Sequence, residues 1–217
     1  LILVLRGFDR HLERPSSRLP GDLWLLAYPQ GYWQSIVSAA RRYGLDPYFV
    51  AAIIREESQF RSDALSPAGA RGVMQVMPAT GEWIARMSGI RDFDRAKLYD
   101  ADMNINLGSW YLSYLMKRFK NDLYLVSAAY NAGPEAVMTW AGAGKGTTDP
   151  VLFVETIPYR ETRGYVKKVL RNFAEYRRIY GGTDLSAPLP LSGPASQSAG
   201  GMRTGDIRLC GFPGRCP

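Results

Sequence analysis

The stretch LDPYFVAAIIREES, residues 45–58, carries the strongest fold signal in the chain. It predicts an α-helix, because Asp46 can cap the N-terminus and Pro47 suits the first helical position. Aliphatic residues then recur at three- and four-residue steps through Val50 and Ile54, which places them on one face. We therefore expect a helix whose apolar face packs against the core.

Two adjacent glutamates end this helix, and helical geometry predicts different environments for them. Glu57 lies seven residues after Val50 and continues the apolar face, whereas Glu56 lies roughly a quarter-turn away, where it can reach water. A carboxyl group aimed at an apolar interior has a raised pKa unless a cation pairs with it. Glu57 is therefore a candidate general acid. Alternatively, it is a structural carboxylate paired with Arg55 or Arg71, or it sits at a frayed helix end.

The remaining periodic segments are also helical, and no stretch alternates strictly as a strand would. The long segment 158–180 has an amphipathic stripe with apolar residues at three- and four-residue steps. Residues 1–27 are interpreted as a lead-in that begins with Leu rather than Met, which indicates a fragment or a processed product. Residues 28–180 form an all-α domain, and the Pro-, Gly- and Ser-rich residues 181–217 are expected to be a disordered tail.

Composition narrows the possible chemistry. The 217 residues include 27 basic and 20 acidic side chains, and the net charge of +7 favours an anionic partner without choosing one. His11 is the only histidine, which excludes a Ser-His triad and a multi-histidine metal site. Cys210 and Cys216 both lie in the tail, as a local disulfide or as two free thiols.

Two further segments carry residue types suited to ligand binding. In SPAGARGVMQVMPAT, residues 66–80, small residues allow close approach of a ligand, and Gln75 offers both a donor and an acceptor. In SAAYNAGP, residues 127–134, Tyr130 and Asn131 end a helix before Gly and Pro. Each feature also has a structural explanation: core packing for the methionines and Tyr130, and helix capping for Asn131.

Together these segments resemble the catalytic domain of the soluble lytic transglycosylases, glycoside hydrolase family 23, which is related in fold to goose-type lysozyme. The similarity runs from about Tyr28 to Tyr180, in the family's order and approximate spacing. The matching blocks are REESQF, GARGVMQVMPAT, AAYNAGP and FVETIPYRETRGYVKKVL. The resemblance implies an all-α, lysozyme-like domain with a glycan groove. Many members have Gln in place of Glu56. Long members also carry a preceding superhelical domain, for which the lead-in is a candidate remnant.

The resemblance also implies an activity without a metal or cofactor. The expected substrate is the glycan strand of peptidoglycan, cleaved between N-acetylmuramic acid (MurNAc) and N-acetylglucosamine (GlcNAc) with formation of 1,6-anhydro-MurNAc ends. Glu57 is implied as the single acid/base, and the expected location is the periplasm or cell envelope. The implied substrate-binding residues are Ser66, Gln75, Met77, Tyr130, Asn131 and Glu161.

Three alternatives remain at this point. A goose-type lysozyme would need a second carboxylate to position water, for which Glu56 and Asp63 are the nearby candidates. A glycan-binding module would bind peptidoglycan whether or not Glu57 is intact. A nucleic-acid binder rests on charge alone and ranks last, because the sequence has no nucleic-acid motif or concentrated basic stripe.

Overall fold

A computed structural model describes residues 21–143 and 149–181 of the chain. Within these ranges the secondary structure is helical, with two isolated β-bridges and no β-strand, which confirms the predicted all-α class. The helices are α1 Gly21–Ala27, α2 Trp33–Tyr43, α3 Pro47–Ser58, α4 Pro78–Ser88, a 3-10 helix Arg95–Tyr99, α5 Ala101–Arg118, α6 Leu123–Ala132, α7 Pro134–Ala143, α8 Pro150–Thr156 and α9 Arg160–Tyr180.

Some sequence predictions lie outside the described residues. These include most of the lead-in with His11, and the tail beyond residue 181 with Cys210 and Cys216. The end of the lead-in is described, and it forms α1. None of the described helices is long and apolar enough to cross a membrane.

The chain divides into two compact units. Of the described residues, the first unit comprises 21–113 and 168–181, and the second comprises 114–143 and 149–167. Glu57, Ser66, Gln75 and Met77 therefore belong to the first unit. Tyr130, Asn131 and Glu161 belong to the second.

Helix α3 forms the centre of the first unit. Every residue from Phe49 to Arg55 is buried, so the helix is enclosed on all sides and does not present a single apolar face. This corrects the predicted contrast between the two glutamates: Glu56 and Glu57 are both partly exposed, where α3 leaves the core. The start of the helix agrees with prediction, since the Asp46 carboxylate accepts a 2.8 Å hydrogen bond from the Tyr48 N–H.

The C-terminal part of α9 packs against this central helix. Phe173 meets Phe49 edge-to-face with ring centroids 5.4 Å apart. Tyr176 meets Tyr28 in the same manner at 5.3 Å, and its hydroxyl donates to the Pro29 carbonyl at 2.9 Å. The predicted amphipathic stripe of α9 is confirmed here, because Phe173 and Tyr176 are buried.

The second unit contains the last turn of α5, then α6, α7, α8 and the first turns of α9. Asp122 begins α6 by accepting hydrogen bonds from the N–H groups of Tyr124 and Leu125, at 2.9 and 3.1 Å. Helix α7 follows α6 after a single residue, so these two helices form a closely connected pair.

Candidate active site

Glu57 lies in the last turn of α3 and is partly buried, next to Ser58. The Ser58 hydroxyl donates a 2.7 Å hydrogen bond to the carbonyl of Val73 and lies 3.4 Å from the carbonyl of Ile54. The first of these bonds joins the glutamate-bearing end of the helix to the segment that contains Gln75. The serine of the Glu-Ser pair therefore has a structural role that sequence reasoning did not assign.

Glu56 forms an ion pair with Lys168. Its Oε1 lies 3.0 Å from the Nζ of Lys168 on α9, and only 17% of its side chain is exposed. The partner of Glu56 is thus a residue of α9, which helical periodicity within α3 does not reveal. The charge that distinguishes this chain from family members with Gln at position 56 is offset by Lys168.

Arg55 and Arg71 are the alternative partners predicted for Glu57, and both link other segments of the first unit. Arg55 is buried, and it donates to the Ala27 carbonyl at 3.1 Å and to the Asn172 side-chain oxygen at 3.0 Å. Arg71 donates to the Arg95 carbonyl at 3.1 Å. Both guanidinium groups therefore have structural contacts that link separate segments.

Residues 66–77, which we name the Gln75 loop, form a tightly bonded turn. The Ser66 hydroxyl accepts a 3.0 Å hydrogen bond from the Ala70 N–H, which closes the first part of the loop. Gln75 has a left-handed backbone (φ 50°), and its Nε2 donates to the carbonyls of Ala64 and Gly72 at 3.1 and 2.9 Å.

These contacts narrow the prediction made for Gln75. Both amide hydrogens are used within the protein, whereas its Oε1 makes no hydrogen bond to the described residues. Gln75 is therefore equipped to accept a hydrogen bond from a hydroxyl or amide of a ligand, rather than to offer both a donor and an acceptor.

The methionines of the Gln75 loop have different environments. Met74 is fully buried and fills the core, as the structural explanation predicts. Met77 is partly exposed and occupies the N-cap position of α4. Of the two, only Met77 is open to a ligand.

Asn104, a buried residue of α5, holds the Gln75 loop through hydrogen bonds. The Asn104 side chain accepts a 2.7 Å hydrogen bond from the Met74 N–H and donates to the carbonyls of Arg71 and Leu98, both at 2.8 Å. Asn104 was not among the residues predicted for the site. The sequence signal that could have found it is a polar residue that interrupts the apolar face of α5, four residues before Gly108.

In the second unit, a hydrogen bond brings two predicted site segments together. The Thr162 hydroxyl, on a residue that is only 2% exposed, donates to the Asn131 Oδ1 at 2.7 Å. This bond joins the end of α6, where Tyr130 is partly buried, to the first turn of α9, where Glu161 is exposed. Asn131 thus has a structural partner in addition to its predicted role in binding substrate.

In the first unit, Glu57, Gln75 and Met77 supply carboxyl, amide and thioether groups, and in the second unit Tyr130 supplies a phenol. In the part of the chain that the structure describes, no three His, Cys, Asp or Glu side chains cluster as a metal site requires.

Comparison with known protein families gives two matches. The family model described as "Transglycosylase SLT domain" matches residues 34–151, more than half of the chain. A second model, "Soluble lytic transglycosylase helical domain", matches residues 156–184. The two matches follow one another along the chain.

Individual relatives agree with these matches. The soluble lytic murein transglycosylase of Salmonella typhimurium is 41% identical over 185 residues, which is 82% of this chain but 29% of that protein. The chain therefore spans less than a third of the length of this relative.

Solved structures share the fold. An inactive Glu-to-Gln mutant of the lytic transglycosylase Slt from Pseudomonas aeruginosa has a TM-score of 0.71 and 34% identity, over 87% of this chain and 29% of that one. The complex of a 70-kDa soluble lytic transglycosylase with bulgecin A has a TM-score of 0.74 and 37% identity, over 78% and 28%.

Proposed function

The chain belongs to the transglycosylase SLT domain family, and from this membership we propose that it cleaves peptidoglycan glycan strands as a lytic transglycosylase. The bond broken is the β-1,4 linkage between MurNAc and GlcNAc, and the product carries a 1,6-anhydro-MurNAc end. The observation that carries the proposal is the position of Glu57. It lies where the buried helix α3 leaves the core, and Ser58 bonds this helix end to the loop that presents Gln75.

Glu57 acts twice in the proposed reaction. Protonated, it donates its proton to the glycosidic oxygen, and the bond from that oxygen to MurNAc C1 breaks. The acetamido group of the sugar stabilises the positive charge that develops at C1. Glu57, now ionised, takes the proton of the MurNAc C6 hydroxyl, and the C6 oxygen bonds to C1. The proton balance closes, and Glu57 is ready for another cycle.

Ring closure within the substrate explains why a single carboxyl group suffices. An intramolecular hydroxyl has a large effective concentration compared with water, so no second base is needed to activate a water molecule. Of the two carboxylates named for that second role, Glu56 is paired with Lys168. Asp63 is 89% exposed, and its Oδ1 lies 3.8 Å from the Nε of Arg61. The pairing of Glu56 supports the anhydro product over hydrolysis.

The Pseudomonas relative supports a glutamate as the essential group, because a single Glu-to-Gln replacement gives its inactive mutant. A Gln cannot donate or take up a proton at working pH, although it keeps the shape of Glu. We assign the corresponding role in this chain to Glu57, as the glutamate of the Glu-Ser pair.

Further groups are proposed to bind the glycan. Gln75 accepts a hydrogen bond from a sugar through its Oε1, and Met77 and Ser66 line the same loop. Tyr130 donates near the acetamido group or the leaving oxygen, and Glu161 with Asn131 holds a neighbouring sugar. The net charge of +7 suits the carboxylates of the peptide stems. The substrate places the reaction in the periplasm or cell envelope.

The test is a digestion of purified sacculi with the unaltered chain, Glu57→Gln and Glu56→Gln, followed by mass analysis of the released muropeptides. We expect products lighter by one water than their hydrolysed counterparts from the unaltered chain and from Glu56→Gln, and none from Glu57→Gln. The neighbouring glutamate is a matched control, because it carries the same substitution one position away.

Other outcomes would contradict the proposal in distinct ways. Ordinary reducing ends would make the protein a lysozyme. Sacculi that are bound but never cut, even by the unaltered chain, would indicate a glycan-binding module. Activity lost equally in both variants would show that the charge of the helix end, rather than the Glu57 carboxyl, is what matters.

A further inference from the structure

We propose that Asn104 is a positioning residue for the active site, which sets the place of the Gln75 loop relative to the end of α3. It does not touch the substrate and acts through the loop. The inference rests on the proposed function, since the loop carries Ser66, Gln75 and Met77. Its structural part can be measured without any activity.

Asn104 makes three of the four hydrogen bonds that its side chain can form. Its Oδ1 accepts from the Met74 N–H at 2.7 Å, and its two Nδ2 hydrogens go to the carbonyls of Arg71 and Leu98 at 2.8 Å. The residue is 0% exposed. A buried polar group with both donors and its oxygen bonded fixes its partners, because any displacement leaves a donor or an acceptor unsatisfied in the protein interior.

The loop also approaches α5 more closely than most residues would allow. A Cβ atom on Gly108, one turn after Asn104, would lie 2.5 Å from the Met74 Sδ and 2.8 Å from the Met74 Cβ. Met74 therefore packs directly against the backbone of α5. Asn104 and Gly108 lie four residues apart on the same side of the helix, and both positions contact Met74 of the loop.

Two consecutive loop residues are thus bonded to two different helices, α3 and α5. The Val73 carbonyl accepts from Ser58, which follows Glu57 in the chain, and the Met74 N–H donates to Asn104. Gln75 comes next, in a left-handed conformation that its own side-chain bonds maintain. Holding residues 73 and 74 in this way fixes where the Gln75 acceptor stands with respect to the catalytic helix end.

Other side chains of similar size cannot replace Asn104. An aspartate would keep the acceptor for Met74, but it would set a carboxylate oxygen against the carbonyls of Arg71 and Leu98, which need donors. A leucine would keep the approximate volume and remove all three bonds. The pair Asn104→Asp and Asn104→Leu therefore separates loss of the donors from loss of the whole network.

The experiment compares both variants with Ile105→Ala, a cavity-forming change at the next residue of α5, which is buried and has no bond to the loop. Amide hydrogen exchange is measured for residues 72–76, and kcat and KM are measured on solubilised glycan strands. Each variant is measured at the same number of degrees below its own midpoint of thermal denaturation, so that the variants are compared at equal stability. If Asn104→Leu does not fold, Asn104→Asp provides the test.

We expect exchange in residues 72–76 to accelerate selectively in the Asn104 variants. We also expect kcat/KM to fall by roughly ten- to a hundred-fold, mainly through kcat, as for a catalytic arrangement displaced by about 1 Å. Ile105→Ala should change exchange broadly and kcat/KM little.

The proposal is overturned if the loop exchanges no faster in the Asn104 variants than in Ile105→Ala, or if activity at matched stability is unchanged. If the unaltered chain cuts nothing, the proposed function fails, and the exchange data alone still decide whether Asn104 holds the loop.

Discussion

Replacing Gly72 by alanine should destabilise the protein strongly, for two separable reasons. Gly72 has a φ of 74°, a left-handed conformation that costs an alanine roughly 1–2 kcal/mol. In addition, a Cβ atom at this position would lie 2.1 Å from the Leu98 carbonyl oxygen and 2.5 Å from the Asn104 Nδ2. One of these atoms belongs to the backbone and the other to a side chain held by three hydrogen bonds, so moving either atom aside costs free energy.

The magnitude follows from these two contributions. Overpacking of a well-filled site costs about 1–3 kcal/mol, which with the conformational strain gives a total of roughly 2–5 kcal/mol. For a protein of this size, the midpoint of thermal denaturation should fall by roughly 4–20 °C. Since the clash falls on Asn104, the Gln75 loop should also be displaced, and release of muropeptides should fall by more than the loss of folded protein explains.

A matched control isolates the clash from the strain. Gly89 has almost the same φ, 73°, but a Cβ atom there would meet nothing within 4 Å. Gly89→Ala should therefore show the strain alone, about 1–2 kcal/mol, and leave activity unchanged. Both midpoints are measured by circular dichroism, and both variants are assayed on sacculi. If Gly72→Ala is no less stable than Gly89→Ala, the close approach of the loop to Leu98 and Asn104 is wrong.

Two further predictions concern buried hydroxyl groups. Thr162→Val removes the donor to the Asn131 Oδ1, so the free energy of unfolding in urea should fall by about 1–2 kcal/mol. Thr139 is exposed, so Thr139→Val should change this free energy little. Equal effects of the two substitutions would argue against the bond between Thr162 and Asn131. Burial raises the pKa of the Tyr176 phenol above its ordinary value of 10.0, so the folded state resists its ionisation. The contribution of Tyr176 to stability should therefore be constant below pH 10 and be lost as the pH rises further. Above pH 10 the fall in stability should be smaller in Tyr176→Phe, and the same slope in both proteins would refute this cause.

Much of the local structure could be predicted from the sequence. The start of α3 agrees with prediction, because Asp46 and Pro47 act within one helical turn. The stripe of α9 also agrees, since a long surface helix shows its periodicity plainly. The environments of Glu56 and Glu57 could not be predicted in this way. Helix α3 is buried on every side, so the position of a residue around it does not indicate exposure.

The site residues show the same limit. The Gln75 loop was recognised from its residues, but the use of both Gln75 amide hydrogens depends on the carbonyls of Ala64 and Gly72, which only the folded loop aims at them. Asn104 lies about thirty residues from its partner Met74, and no short-range pattern predicts a hydrogen bond across that distance.

The sequence by itself determined the helical class, the start of α3 and the family, because these depend on residue type, on spacing and on motifs that are local in the chain. Only the tertiary structure decided that Glu56 is paired with Lys168, 112 residues away, and that Ser58 and Asn104 hold the Gln75 loop from two sides. Hydrogen bonds and ion pairs of this kind need atoms within about 3 Å, and distant segments reach that separation only when the core brings their helices together.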